Sequence, residues 1–143
     1  MTIKEMIDHI IGCECKTQNW GISCKFFNIG KIGIKVYKYI KGRDISYNNQ
    51  TKFAKMGAAP KTFGKFSFKT KYETYYCYVT ETVEALSPNN TKSWDCDIED
   101  PRRIQESAKR FESLTGCQYN DCHPANFGYL NGELVPIDFD NMW

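Results

Sequence analysis

The sequence has no long apolar run, no surplus of one charge, no internal repeat and no low-complexity tract. Each absence removes a class of protein. No stretch approaches about 18 consecutive apolar residues, so no segment is expected to span a membrane. Lys and Arg number 19 against 17 for Asp and Glu, a formal charge of +2. That balance excludes a basic arm wrapping nucleic acid and an acidic disordered tail. Glu5 and Asp8 interrupt the apolar N-terminal stretch, so no signal peptide is expected and the chain reads as cytoplasmic. The even, paired cysteines of a secreted scaffold are also missing, since the seven here are an odd number, scattered, with no C-x-x-C. Reduced thiols are the expectation. Cys117, Cys122 and His123 cluster without the second pair that a zinc site needs.

What is present is enough for a core. Apolar residues make up 41% and aromatics 15% of the 143 residues, and about 150 residues is the usual length of one domain. Residues 2–11 read as a helix, with Thr2 and Glu5 as a capping box and Gly12 as its end. From Cys13 to Ile40 the chemistry is that of strands. Trp20, Ile22, Cys24 and Phe26 alternate with smaller residues, Asn28 to Lys31 turn, and Ile32 to Tyr37 follow as a second strand. A helix is expected over Asp44–Met56, capped by Asp44 and stopped by Gly57, and Pro60 then breaks the chain. Phe66 and Phe68, then Tyr72 to Val79, predict another hairpin, and Ser87 to Asn90 a loop. The Lys-and-aromatic run from Lys61 to Tyr78 has strand spacing, so it reads as a half-buried hairpin with a solvated lysine face rather than a single-strand nucleic-acid platform. Asp100-Pro101 opens a third helix, with Ile104, Ala108, Phe111 and Leu114 on one face until Gly116. A polar loop and a last hairpin turning at Asn131-Gly132 complete an α+β order. Trp143 reads as a packing plug.

Chemistry is concentrated in Tyr119-Asn120-Asp121-Cys122-His123-Pro124-Ala125-Asn126 and Pro136-Ile137-Asp138-Phe139-Asp140. With Asn131 and Gly132 in the turn, Leu130 faces Glu133 and Asn126 falls opposite Ile137, so Asp138 lies beside Asn126. Asp138 and Asp140 share a face if the extended form persists. One amide oxygen and one or two carboxylates then make a hard-cation site of the kind magnesium uses beside substrate phosphates. Asp121 can reach the same space as a base or hydroxyl-orienting group.

The segment Asp121-x-His123-Pro124-x-Asn126 followed by Ile137-Asp138-Phe139 resembles the kinase-like phosphotransferases, above all the aminoglycoside and choline kinase branch. Protein kinases carry the related H-R-D-x-x-x-x-N and D-F-G; in both, an Asp precedes an Asn by five positions and a metal-binding Asp follows a short hairpin. The resemblance implies that Asp121 orients the acceptor hydroxyl, that Asn126 and Asp138, with Asp140, hold Mg2+, and that His123 braces the loop. Ile32-Gly33-Ile34-Lys35 looks like the V-A-I-K strand, which makes Lys35 the contact to the phosphates of ATP, with Lys38 the other candidate. The backbone from Glu81 to Val83 would be the hinge that pairs with adenine. The implied fold is a minimal protein-kinase-like one in a single domain. Its N-lobe, over about residues 1–80, is a small antiparallel sheet with a helix. Its C-lobe, over about residues 81–143, is a reduced helical one ending in the catalytic-loop hairpin.

Three departures accompany the resemblance. No G-x-G-x-x-G exists, the matching turn being near Thr17 to Gly21. No Glu lies between Lys35 and Glu73, so Gln50 or Asp44 substitutes as partner of the lysine, or Lys35 binds phosphate unaided. The sequence runs three residues past Asp140, so no activation segment or peptide-holding helices are expected. Two functions remain: an ATP- and magnesium-dependent phosphotransferase acting on a protein or small-molecule hydroxyl, or an inactive kinase-like protein that docks on and regulates a partner.

Overall fold

The computed structural model describes residues 1–15, 24–85 and 102–140. The expectations on Thr17 to Ile22, Ser87 to Asn90, Asp100-Pro101 and Trp143 lie outside these residues. Alternating strand chemistry produces two hairpins. The first joins β1 (Cys24–Ile29) to β2 (Ile32–Tyr37), and Gly30 turns it at φ 61°. The second joins β3 (Thr62–Lys69) to β4 (Thr74–Glu81). Its turn is closed by the Thr70 N–H donating to the Glu73 carbonyl at 2.9 Å, while the Thr70 hydroxyl accepts from the Tyr72 and Glu73 amides. Pairing of β2 with β4 welds the hairpins into one antiparallel sheet of order β1-β2-β4-β3. Lys35 sits at its centre, opposite Phe26 on one side and Tyr78 on the other.

Period-two alternation gives this sheet two chemically different faces. On one, Phe27, Ile34, Val36, Tyr75 and Cys77 meet Met6 and Ile10 of α1 (Ile3–Cys15) in an apolar core. Thr2 caps the helix as expected, its hydroxyl accepting from the Glu5 N–H at 3.1 Å, and the Glu5 side chain meets that hydroxyl at 3.2 Å. α1 does not end at Gly12. It continues to Cys15, where Glu14 accepts a hydrogen bond from the Thr70 hydroxyl at 2.9 Å and so gains a tertiary anchor for its last turn. On the other face lies α2 (Ile40–Lys55), which starts four residues before the expected Asp44. Its N-cap is Tyr39, with no side-chain cap. Asp44 instead pairs with Arg43 at 2.7 Å and Lys65 at 3.4 Å. The helix stops as expected, at Gly57 with φ 75°.

The rest forms a second layer. β5 (Glu84–Ala85), β6 (Phe127–Leu130) and β7 (Glu133–Pro136) make a three-stranded antiparallel sheet in that order, and α3 (Arg102–Thr115) packs on β7. Asn131 and Gly132 have φ 51° and 83°, the pair of positive values a type I′ turn needs. The predicted register holds: Leu130 faces Glu133, and the Ile137 N–H donates to the Asn126 carbonyl at 2.8 Å. Ile104, Ala108 and Phe111 are buried with Phe53, Ala58, Ala59, Tyr119, Phe127 and Phe139 in a second core. Leu114 is 41% exposed, beyond that core's edge. Ser107 is buried on the face instead, donating to the Leu134 carbonyl at 2.8 Å. The molecule is α+β, and Cys13, Cys24, Cys77, Cys117 and Cys122 are free thiols. Among the described residues no helix is long and apolar enough to cross a membrane.

Candidate functional site

The segment after β7 lies between the two layers, and side chains from β2, α2 and the loop after α3 fasten it. β7 stops at Pro136, so Asp138 and Asp140 are not strand neighbours on a common face. The chain turns instead, because the Asp140 N–H donates to Asp138 Oδ1 at 3.0 Å, a bond that an Asp side chain offers readily to its own backbone two residues on. Three consecutive carbonyls then accept from three different places. Lys35 Nζ donates to that of Ile137, the Tyr119 hydroxyl to that of Asp138 at 2.6 Å, and Asn49 Nδ2 to that of Phe139 at 3.2 Å. Phe139 is fully buried against Phe53 and Phe111. Each net hydrogen bond stabilises by about 1 kcal/mol, and the ring burial by about 2 kcal/mol more. Asp138 is therefore held in one position.

Lys35 is 4% exposed. Besides Ile137 it donates to Gln50 Oε1 at 3.2 Å, and its ammonium lies 5.5 Å from the ring centres of Tyr78 and Phe139. Burial opposes its charge. The Tyr78 oxygen, the Cys24 sulfur and the Asp140 and Asp138 carboxylates more than offset that, so the lysine titrates above its ordinary range. Of the two substitutes expected for the missing Glu, the structure selects Gln50 and turns Asp44 away to Arg43 and Lys65. Burial raises the Asp138 carboxyl to about 6; the neighbouring Asp140 adds to the rise and Lys35 opposes it.

Asn126 is buried at the end of a single 3-10 turn (Pro124–Asn126). Its Nδ2 donates to the Asp121 carbonyl at 3.1 Å, and its N–H to the His123 carbonyl at 2.9 Å. The His123 N–H donates to the Asp121 carbonyl at 2.8 Å. The Asp121 side chain is exposed, and its charge is felt at both Asp138 and Tyr119. Lys35, Asp121, Asn126 and Asp138 thus gather around one segment. Asp140 stays beside Asp138 through its N–H, while its Oδ1 accepts from the Tyr37 hydroxyl at 2.9 Å. Glu81 is turned to Lys61: its N–H donates to the Lys61 carbonyl at 2.9 Å, and its Oε1 accepts from the Lys61 N–H at 2.7 Å. That amide is engaged, so a base pairing with this backbone would have to meet it beyond Glu81. Val83 is buried just before β5, in the connection between the two sheets.

Sequence reasoning missed Tyr37, Ser46, Asn49 and Tyr78, and gave Tyr119 no role within the segment it singled out. Tyr37 and Tyr78 carried a signal, lying on the same strand faces as Lys35; Ser46 and Asn49 sit one helical turn apart from Gln50 or beside it. Among the described residues no three His, Cys, Asp or Glu side chains gather as a metal cluster. The hard oxygens this segment offers are the Asp138 carboxylate and the side-chain amide oxygen of Asn126, whose backbone pairs with Ile137, with the Asp140 and Asp121 carboxylates close enough to raise the Asp138 carboxyl. This is a hard-oxygen set that suits magnesium completing its shell with phosphates and water, and does not suit zinc.

No protein-family model matches the sequence, and no curated protein matches it. Among solved structures, the chain is similar to that described as the high resolution (2.2 Å) crystal structure of WbdD, with a TM-score of 0.56 and 19% identity. The likeness covers 86% of this chain and 31% of the other, so this chain spans under a third of its length. A likeness at that identity is one of fold alone.

Proposed function

We propose that the chain is a reduced kinase-like phosphotransferase that uses ATP and magnesium to phosphorylate a hydroxyl on a protein or small molecule. The observation that carries this reading is the placement of the buried Lys35 ammonium on the carbonyl next to Asp138, with Asn126 bonded to the same segment through the Ile137 N–H and to Asp121 through its side chain. Asp138 and Asn126 are the residues that would hold magnesium. When bound, the ion would supply neutralisation of phosphate charge. Lys35 would bind the triphosphate, and exposed Asp121 would accept the acceptor hydroxyl's proton and aim its oxygen. The carbonyl clamp on residues 137–139 keeps these groups from shifting. Phosphoryl transfer asks chiefly for positioning and charge neutralisation, which a small scaffold can supply.

A second reading, an inactive kinase-like protein that regulates a partner, is favoured by Gln50 in place of an acid at Lys35 and by the engaged Glu81 amide. A thermal-shift titration with magnesium and ATP separates the two. The phosphotransferase gains stability on titration, Asp138→Ala loses that gain, and Asp121→Ala keeps it while losing transfer. Equal transfer by wild type and Asp121→Ala would reject the enzyme, and absence of any shift would favour the binding protein.

A further inference from the structure

We propose that Gln50 is a positioning residue that holds Lys35 by a neutral contact and thereby leaves its ammonium without a contacting carboxylate, open to a polyphosphate ligand, a proposal that rests on the function above. Gln50 is 1% exposed and uses both ends of its amide. Its Oε1 accepts from Lys35 Nζ at 3.2 Å and the Tyr78 hydroxyl at 2.8 Å, while its Nε2 donates to the Pro60 carbonyl at 2.9 Å and Thr80 Oγ1 at 2.7 Å. Two acceptor contacts and two donor contacts are all that an amide side chain commonly makes. A glutamate has the same length but no proton to give, so its second oxygen would face the Pro60 carbonyl oxygen in a dry interior.

Lys35's other hydrogen-bond partner, the Ile137 carbonyl, is also neutral, and among the described residues no carboxylate oxygen lies within 4.0 Å of its ammonium. Asp140 is drawn off by Tyr37, whose hydroxyl also contacts Ser46 Oγ at 2.9 Å; Ser46 in turn contacts the Tyr78 hydroxyl at 2.9 Å. A lattice of neutral groups therefore fixes α2 to β2 and β4 without an ion pair. A buried charge that carboxylates balance only from a distance, with none in contact, still interacts strongly with an incoming anion, because little water screens it. The consequence opposes what the family pattern suggests. Writing an acid back at Gln50 weakens ligand binding rather than restoring it.

Calorimetric titration of the full chain with magnesium tripolyphosphate and magnesium ATP tests this, using Gln50→Glu and Gln50→Met beside wild type. Gln50→Glu is expected to bind tripolyphosphate about 10-fold more weakly, since it cancels the charge, and Gln50→Met about 3-fold more weakly, since it only loosens Lys35. Equal or tighter binding by Gln50→Glu, or the same loss in both variants, overturns the proposal. Gln50→Met is expected to keep the wild-type salt dependence of binding, because Lys35 stays charged; a flattened dependence overturns the proposal even where Gln50→Glu fails to fold. Thermal unfolding judges the lattice separately, with Gln50→Glu expected to melt below Gln50→Met and the reverse order counting against it. A wild type that titrates neither probe ends the phosphotransferase reading and the ligand half of this proposal, while the unfolding order still decides the lattice half.

Discussion

The two faces of the four-stranded sheet are built from the same strands by opposite chemistry. Ile34 and Val36 point toward α1, and Lys35 and Tyr37 toward α2, residue by residue along β2. The α1 side is a dry apolar contact in which Met6, Ile10, Val36 and Cys77 are fully buried, and burial alone pushes the Cys77 thiol up to about 12, with Arg43 pulling the other way. The α2 side buries Lys35, Arg43, Ser46, Gln50 and Thr80 and satisfies them by hydrogen bonds. Apolar packing stabilises roughly in proportion to area. A buried polar lattice yields little net stability but fixes geometry, because a partner moved by an ångström leaves a desolvated group unpaired. The sheet therefore keeps its stability on one side and its precision on the other.

Complete loss of ligand is the strongest way to sharpen that contrast. Asp138→Ala is expected to remove magnesium-nucleotide binding altogether while the α1 core stays folded, measured as a vanished ATP-induced thermal shift over a normal unfolding transition. If Asp138→Ala kept its nucleotide shift, the polar side would carry no ligand function.

Substitutions at neighbouring positions of β2 should then separate the faces. Ile34→Ala leaves a cavity against Met6 and Ile10 and is expected to cost about 2–4 kcal/mol, read by denaturant unfolding, with nucleotide affinity unchanged in the folded fraction. Lys35→Met leaves the Ile137 carbonyl and one acceptor contact of Gln50 unpaired, so it is expected to cost about 1–3 kcal/mol, and to lose nucleotide binding in the folded fraction as well. A large stability loss at Lys35 with binding retained would reverse the assignment of the faces.

Much of this division was legible in the sequence, and the illegible part has a physical reason. Local rules sufficed for the cap at Thr2, for β2 over Ile32–Tyr37 and for the Asn131-Gly132 turn with its register, because each depends on residues a few positions apart. The start of α2 was misread because Asp44 is a good N-cap in isolation, but tertiary contacts take it elsewhere. Pairing of β2 with β4 joins residues about forty positions apart through neither turn nor spacing, so only the folded chain shows it. The nearness of Asn126, Asp138 and Asp121 followed from the hairpin register and the short loop before it, while Lys35 was joined to them by resemblance. The hydroxyl chain of Tyr37, Ser46 and Tyr78 was invisible, since aromatic and small polar residues on a strand or helix read as packing.

A pH titration probes the polar side more gently. Asp138's carboxyl titrates near 6 in the fold, held up first by burial and then by Asp140, against an ordinary value of 3.8. Between those values the folded state binds more protons than the unfolded one, so unfolding free energy must fall as pH rises through the window. Wild type is therefore expected to lose about 1–2 kcal/mol between roughly pH 4 and 6 that Asp138→Asn keeps. Parallel stability curves for the two proteins would show that the carboxyl is not desolvated as its place in the fold implies.

The smallest expected effect lies at the rim of the same face. Lys65 reaches Asp44 at 3.4 Å with both side chains 39% exposed, while Arg43 beside it is buried and donates to the Phe66 and Cys77 carbonyls at 3.2 and 3.1 Å. Water screens the Lys65 pair, so Lys65→Gln is expected to shift stability by less than about 0.5 kcal/mol. Arg43→Gln strands two buried carbonyls and is expected to cost about 2 kcal/mol. Denaturant unfolding of the pair checks whether this face is fixed by its interior lattice or by its surface charges, and a Lys65 loss as large as that at Arg43 would mean the surface charges do the fixing.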